Sequence, residues 1–463
     1  MYNQNGVSFV DCTLSETLSL AVEGSIESII IKRRVFEALK HRLTTKSATP
    51  TVGDVEFILY GDGDSKNVRY DACILHKILM KDFNPVRNVL STTTIATYYQ
   101  PVGKLIHEDI VAPCQTITTP LVSKPAVFPA DCRNSDEAAI SGRVDKPRND
   151  VRPPISFNTY REEFIDLVIP PKRQHCGRPI TVDEVKQIQN KPLQRARTKE
   201  VEHLLGAAPM NKLKSFVKNE AQSVPTDPRV ITTNSTALTL RMSAFTYAMK
   251  EDILKKLPFY GPCKTPSEVH ERIRMIGQQG LLESDYNRFD GSISKYLQDL
   301  VNAIYLRWLN DGPDAVEWIV LFQQVFVQKA TTKHGVKYKP GFGTRSGSPI
   351  TTDGNTLINA FISYSALREM GKTKEEAWSL LGLYTGDDGL NRNIPGLEAA
   401  MKMAVTALGL SIDIVGSVPD SSIKFAGRCF PRPLTSLSSH QDVKRTLVKL
   451  HVSGNKGVSR ELA

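Results

Sequence analysis

The stretch LLGLYTGDDGLNRN, residues 380–393, constrains the fold of this chain more than any other. An apolar run climbs to Tyr384, the chain turns on Thr385-Gly386-Asp387-Asp388-Gly389, and Leu390 begins the return. Asp and Gly favour tight hairpin turns because they tolerate positive φ, and Asp also bonds its own backbone. The pattern predicts a β-hairpin with two adjacent carboxylates at its tip. A second stretch, EFILYGDGDSKN at 56–67, also runs apolar into Tyr60 and turns on Gly61-Asp62-Gly63-Asp64. It too predicts a strand and a hairpin turn, so the turn pattern by itself does not separate chemistry from punctuation.

A chain of 463 residues has room for two or three domain-sized cores. Its net charge of +10 favours a polyanionic partner. The seven cysteines form no C-x-x-C pair, which excludes the usual zinc spacing and a small disulfide framework and fits a reducing compartment. No 18-residue apolar run is present, and MYNQNGVSFV lacks the basic flank and apolar core of a signal peptide.

Residues 1–120 read as a mixed α/β region: VSFVDCTL and VEFILYG predict strands, and SIESIIIKRRVFEALKHRL a helix through Ile26, Ile29, Ile30, Val35, Phe36 and Leu39. Proline-rich segments at 141–173 predict loops, with a boundary near 125–150. Residues 172–218 hold eleven Lys/Arg against four Asp/Glu, which reads as a solvated helical face or as one wall of a channel. Beyond them, apolar strands alternate with amphipathic helices. One helix aligns Leu297, Leu300, Val301, Ile304 and Trp308; another aligns Leu397, Met401, Val405 and Leu408 and stops at Gly409. The layout is α+β.

Two further segments complete a pattern. LLESDYNRFDGSIS, 281–294, predicts a strand ending in Asp285, with Asp290 five residues on at a helix start. Taken singly, these aspartates read as a strand-end turn and a helix cap. GFGTRSGSPITTDGNTLIN, 341–359, predicts a flexible loop, N-cap candidates Thr351, Thr352 and Asp353, and a buried helix with Leu357, Ile358, Phe361 and Ile362. Taken singly, it reads as an ordinary loop capping a core helix.

The order D-x4-D, S-G-x3-T-x3-N, G-D-D, spaced by about 60 and then 40 residues, resembles motifs A, B and C of RNA-dependent RNA polymerases of positive-strand RNA viruses. Ser346, Gly347, Thr351 and Asn355 stand at the family's motif B spacing. KLKSFVKNEAQSVPTDPRVI resembles the basic motif F through Lys218, Glu220 and Arg229, and IKFAGRCFPRP resembles motif E. The likeness is nearest to the polymerase region of nodavirus replicases and runs from about 120 to 452, roughly 70% of the chain. Gly61–Asp64 has no such segments ahead of it and reads as a turn.

The resemblance implies a right-hand polymerase fold: an N-terminal region of unknown role at 1–120, fingers at 121–280, a palm at 281–430 with a fingers insertion near 310–340, and the start of a thumb at 431–463. It implies RNA template and product and ribonucleoside triphosphates as partners. Two Mg²⁺ ions, with Mn²⁺ as a substitute, would be held by Asp285, Asp387 and Asp388 with the Tyr286 carbonyl. Asp290 and Asn355, with Ser346 or Thr351 nearby, would read the ribose. Lys218 and Arg229 would neutralise the triphosphate. Lys212, Lys214, Gly347 and Arg428 would meet RNA. Other replicase regions are expected partners, and viral replication complexes in the host cytoplasm the expected location.

Two features depart from the family. No lysine lies between Leu408 and Ile423, where a general acid is often found; Lys402 and Lys424 flank the gap. Only about 75 residues follow the Gly-Asp-Asp, so the thumb is expected to be truncated, minimal or supplied elsewhere. A reverse transcriptase remains an alternative, although such enzymes usually place an aromatic residue where Thr385 stands and lack both ribose readers. A non-catalytic RNA-binding module is a third reading.

Overall fold

The computed structural model describes residues 2–4, 7–12, 15–22, 28–44, 50–60, 67–82, 97–101, 112–122, 124–189, 191–205 and 212–455. The chain divides into two compact units, Met1–Ile95 and Ala96–Ala463. The division falls earlier than residue 120 because Tyr98–Tyr99 pairs with Phe128–Pro129, and Gln115–Thr116 with Val452–Ser453, within the second unit.

In the first unit, four antiparallel strands lie in chain order, Tyr2–Gln4, Val7–Cys12, Thr17–Val22 and Ser28–Lys32. Three helices follow, Arg33–Thr44, Val52–Tyr60 and Val68–Asp82. The helix predicted through Ile26–Leu39 is a strand followed by a helix. Three consecutive β-branched isoleucines favour the extended chain, and Ile29 and Ile31 face the core while Ile30 is exposed. VEFILYG, predicted as a strand, is a helix. Thr51 and Asp54 cap it reciprocally: the Thr51 amide donates to Asp54 Oδ2 at 2.8 Å, and the Asp54 amide to Thr51 Oγ1 at 3.3 Å. Val55 and Leu59, four apart, are its buried stripe. Residues 61–66, expected to turn, lie outside the described residues.

The second unit is built around the helix Thr351–Glu369, whose residues from Asp353 to Leu367 are all buried. Helices Ser156–Val168, Lys295–Trp308 and Leu397–Ala407 pack on it. Leu297, Leu300, Val301, Ile304 and Trp308 join this core, as do Leu397, Met401, Val405 and Leu408. Gly409, at φ +72°, ends the last helix in the left-handed region. Beside the core lies a four-stranded antiparallel sheet in the order Leu383–Thr385, Asp388–Arg392, Leu281–Tyr286, Ile412–Gly416. The predicted hairpin at 383–392 is therefore present and pairs with the strand Leu281–Tyr286, which carries Asp285 one residue before its end.

A second sheet joins Lys337–Tyr338, Ala330–Thr332, Leu213–Val217 and Val230–Thr233. It ties the basic 212–229 segment to residues 330–338, with Leu213, Ala330 and Tyr338 buried together. The chain from 423 forms a small sheet of Ile423–Phe425, Arg428–Phe430 and His440–Gln441. It then returns across residues 112–128, where the Ala126 amide donates to the Val448 carbonyl at 2.8 Å. Among the described residues, no helix is long and apolar enough to cross a membrane.

Candidate active site

The sheet register brings the acidic segments together. Ser284 pairs with Gly389, so one step on Asp285 meets Asp388 across adjacent strands; on the other side Asp285 pairs directly with Asp413. Directly opposed like charges repel. Burial, then the carboxylates of Asp387 and Asp413, raise Asp285 above the usual carboxylate range. Burial, Asp387 and Asp285 push Asp388 up to about 6, against a smaller pull from Arg445. Asp413 carries no motif, yet the alternation in SIDIVG gave a signal for it, since period 2 puts Ile412 and Ile414 on one face and Asp413 on the other. Asn287 Nδ2 donates to Asp413 Oδ2 at 3.1 Å.

Next to the carboxylates lies a cavity of about 240 Å³ lined by Tyr286, Asp290, Ser346, Asp387, Arg229 and Arg143, among others. Asp290 is held from both sides. Ser346 donates its hydroxyl to Oδ2, and Asn355 Nδ2 donates to Oδ1 at 2.7 Å. Burial raises Asp290, while these two hydrogen bonds favour its charged form. Thr344 extends the network, donating to Asn355 Oδ1 at 3.0 Å. Thr351 stands apart: its hydroxyl bonds the Arg345 and Ser348 carbonyls at 2.6 and 2.8 Å at the helix start. The N-cap position falls to Ile350, and Asp353, an expected cap, is wholly buried, accepting from Tyr260 Oη at 2.6 Å beside Lys250.

The basic residues divide by role. Arg229, Arg143 and Arg288 face the cavity together. Burial, then the Arg288 and Arg229 guanidiniums, lower the pKa of Arg143. Asp227 balances the group in part, accepting from Arg288 Nη2 at 2.7 Å. Neither Arg143 nor Arg288 was expected at the site, although Arg288 lies inside the D-x4-D segment, between Asp285 and Asp290. Lys218 pairs with Glu220 at 2.7 Å, and Arg229 approaches the same carboxylate at 3.6 Å. Lys212 and Lys214 are exposed and do not line the cavity. Arg428 bonds the Ser439 carbonyl and hydroxyl at 3.0 and 2.8 Å, which holds the 439 loop. Gly347 packs on the neighbouring sheet, where its amide donates to the Thr232 carbonyl at 3.3 Å. Lys402 and Lys424 are tied to Glu398 and Asp442.

Among the described residues, no three His, Cys, Asp or Glu side chains are arranged to hold an ion as they stand. The donor chemistry nevertheless fits a hard dication. Mg²⁺ takes few protein carboxylates and fills its shell with water and phosphate. Asp387 raises the pKa of both Asp285 and Asp388, and carboxylates gathered in this way are destabilised without a counter-cation.

Comparison with known proteins places this geometry. Residues 229–447 match the family described as viral RNA-dependent RNA polymerase. The chain is 41% identical to the RNA-directed RNA polymerase of Pariacoto virus over 97% of its own length and 46% of that protein. It is 31% identical to that of Greasy grouper nervous necrosis virus over 97% and 46%, and 26% identical to that of Flock house virus over 94% and 43%. The chain thus spans about half the length of the curated relatives it matches. In fold it is similar to the crystal structure of the RNA-dependent RNA polymerase of a human picorbirnavirus. The TM-score is 0.57 at 15% identity, over 72% of this chain and 69% of that one. The α+β fold is that of the right-hand polymerases, and the chain belongs to the family of viral RNA-dependent RNA polymerases, alongside those of nodaviruses.

Proposed function

We propose that this chain copies an RNA template into RNA, joining ribonucleotides to a growing 3′ end. The observation that carries the reading is the meeting of Asp285, Asp387 and Asp388 beside a cavity that holds Asp290 in a polar network and faces three arginines. The 3′-oxygen attacks the α-phosphorus of the bound triphosphate, and pyrophosphate leaves. Asp285, Asp387 and Asp388, with the Tyr286 carbonyl, would hold two Mg²⁺ ions, for which Mn²⁺ could substitute. Bound there, such ions lower the pKa of the attacking hydroxyl and stabilise charge on the leaving pyrophosphate.

The rest falls to the protein's own side chains. Arg229, Arg143 and Arg288 neutralise the triphosphate, with guanidinium planes suited to bidentate contacts. Asp290, held by Ser346 and Asn355, accepts from the ribose 2′-hydroxyl; a deoxynucleotide leaves that acceptor unpaired. Lys212, Lys214 and the backbone near Gly347 meet RNA through its phosphates, without reading sequence. In this reading 121–280 serves as fingers, 281–430 as palm and 431–463 as the start of a thumb. Other replicase regions complete the protein at replication complexes in the host cytoplasm, which fractionation of infected cells would test.

Primer extension with a defined RNA template tests the reading. The parent chain should extend with Mg²⁺, and Asp387→Asn should lose about a hundred-fold or more in rate. Equal rates for the two would remove it. Faster incorporation of deoxynucleotides than of ribonucleotides would turn it towards a reverse transcriptase.

A further inference from the structure

Asn359 belongs to none of the sequence motifs, yet it touches both acidic segments. It lies two turns into the helix Thr351–Glu369 and is fully buried. Its Nδ2 stands 3.1 Å from the Gly386 carbonyl and 3.3 Å from each of the Asp387 and Asp388 carbonyls. Its Oδ1 accepts from the Tyr286 hydroxyl at 3.2 Å. Three carbonyls on one side and a hydroxyl on the other fix which way the amide points. One turn earlier, Thr356 Oγ1 accepts from the Gly386 amide at 2.9 Å. The main chain of the hairpin tip is thus bound to the helix, and Tyr286, the residue after Asp285, is bound to the same amide.

Asn355 and Asn359 are four residues apart, so they share one face of the helix. Asn355 holds Asp290, and Asn359 holds the tip that carries Asp387 and Asp388. A hairpin tip with two like charges has an electrostatic reason to splay. A buried amide that grips three successive carbonyls opposes that motion, because releasing them would leave the buried Asn359 Nδ2 without an acceptor.

From this we infer that Asn359 is a positioning residue that sets the spacing between the Asp285 strand and the Asp387–Asp388 tip, and so the affinity of the site for its divalent cation. The inference rests on the polymerase reading for the identity of the cation's task, though not for its binding. Asn359 touches neither nucleotide nor RNA in this role, and its effect passes through the backbone of 386–388.

The test compares the parent chain with N359L, which keeps the branched side-chain framework and removes the amide, and with Y286F, which removes one hydroxyl and keeps the Tyr286 main chain. Mn²⁺ binding to the protein without RNA is read by electron paramagnetic resonance, and single-turnover primer extension is titrated with Mg²⁺. N359L is expected to weaken Mn²⁺ about tenfold and to raise the Mg²⁺ half-saturation by a similar factor. Its kcat should fall while KM for the nucleotide stays within about twofold, since Asp290 and the arginines are intact. Y286F should shift both metal readings the same way by less. A merely structural role would lower the active fraction without moving the Mg²⁺ half-saturation. Parent-like Mn²⁺ affinity in folded N359L overturns the inference; if N359L does not fold, parent-like affinity in Y286F does so. A parent that binds Mn²⁺ but extends no primer sinks the polymerase reading and leaves the Mn²⁺ comparison to decide on Asn359.

Discussion

At the residue scale, the site combines charges that repel with a network that does not. Asp290 is the satisfied member, with a donor on each oxygen. Asn355→Ala strips one donor from a nearly enclosed carboxylate. A lost partner of this kind costs about 1–3 kcal/mol, which corresponds to a fall of about five- to 150-fold in discrimination between ribo- and deoxynucleotides. The ratio of kcat/KM for the two substrates measures it. Asp388 is the strained member. Its carboxyl rises from 3.8 to about 6 in the folded protein, so the native state holds its proton more tightly than the unfolded chain does. The contribution of Asp388 to metal-free stability is therefore present below its unfolded value and is lost as pH rises through about 6. Added Mg²⁺ should raise the melting temperature little at pH 4–5 and progressively more above 6. A metal effect of equal size at both ends of that range would contradict the assignment. The sequence revealed Asp285, Asp387 and Asp388 because their spacing is stereotyped. It marked Asp413 only through the alternation of SIDIVG, gave Arg288 no part although it lies between Asp285 and Asp290, and hid Arg143, which arrives from far along the chain.

At the element scale, two glycines illustrate different constraints. Gly386 sits at the hairpin tip with φ +63° and open space around its Cβ position, so Gly386→Ala carries backbone strain alone, about 1 kcal/mol. Gly347 has no such φ. A Cβ there would lie 2.9 Å from both the Thr232 carbonyl oxygen and Thr233 Cγ2, so Gly347→Ala must push apart the 343–348 loop and the strand Val230–Thr233. Overpacking of that kind costs about 1–3 kcal/mol. Thermal melts should therefore show Gly347→Ala below Gly386→Ala. The expectation from sequence was that Gly347 gives its loop freedom; its local reason in the structure is close approach. The helices of the second unit were legible because their apolar stripes run for several turns. VEFILYG reads as a strand because seven apolar-rich residues do not separate a strand from a short helix, although the T-x-x-D cap stands just ahead of it.

At the scale of the whole molecule, the second unit closes on itself. Val452–Ser453 pairs with Gln115–Thr116, and Val452 shares a small core with Cys114 and Phe128. Arg445, in the short helix Val443–Leu447, comes near enough to favour the charged form of Asp388. The C-terminal segment thus spans from the 112–128 region towards the carboxylates. Cysteine reactivity reports the closure. Cys12, Cys73, Cys176 and Cys263 are exposed, whereas Cys114, Cys132 and Cys429 are buried. The native protein should show four fast thiols with a colorimetric reagent. Val452→Asp, which puts a charge into the core around Cys114, should add a fifth. A count that stays at four would mean that this strand pair does not protect Cys114.

By itself the sequence determined the local pieces: the hairpin with its paired aspartates, the strand that carries Asp285, the amphipathic stripes and the spacing of the three motifs. Each is written in neighbouring residues, where turn chemistry and apolar period act over a few positions. The tertiary structure decided what meets what. Strand register set Asp413 opposite Asp285, and helix packing set Asn359 under the hairpin tip and Arg143 beside Arg229. Such contacts join residues tens to hundreds of positions apart, and their geometry follows from how whole elements pack, which no local pattern encodes.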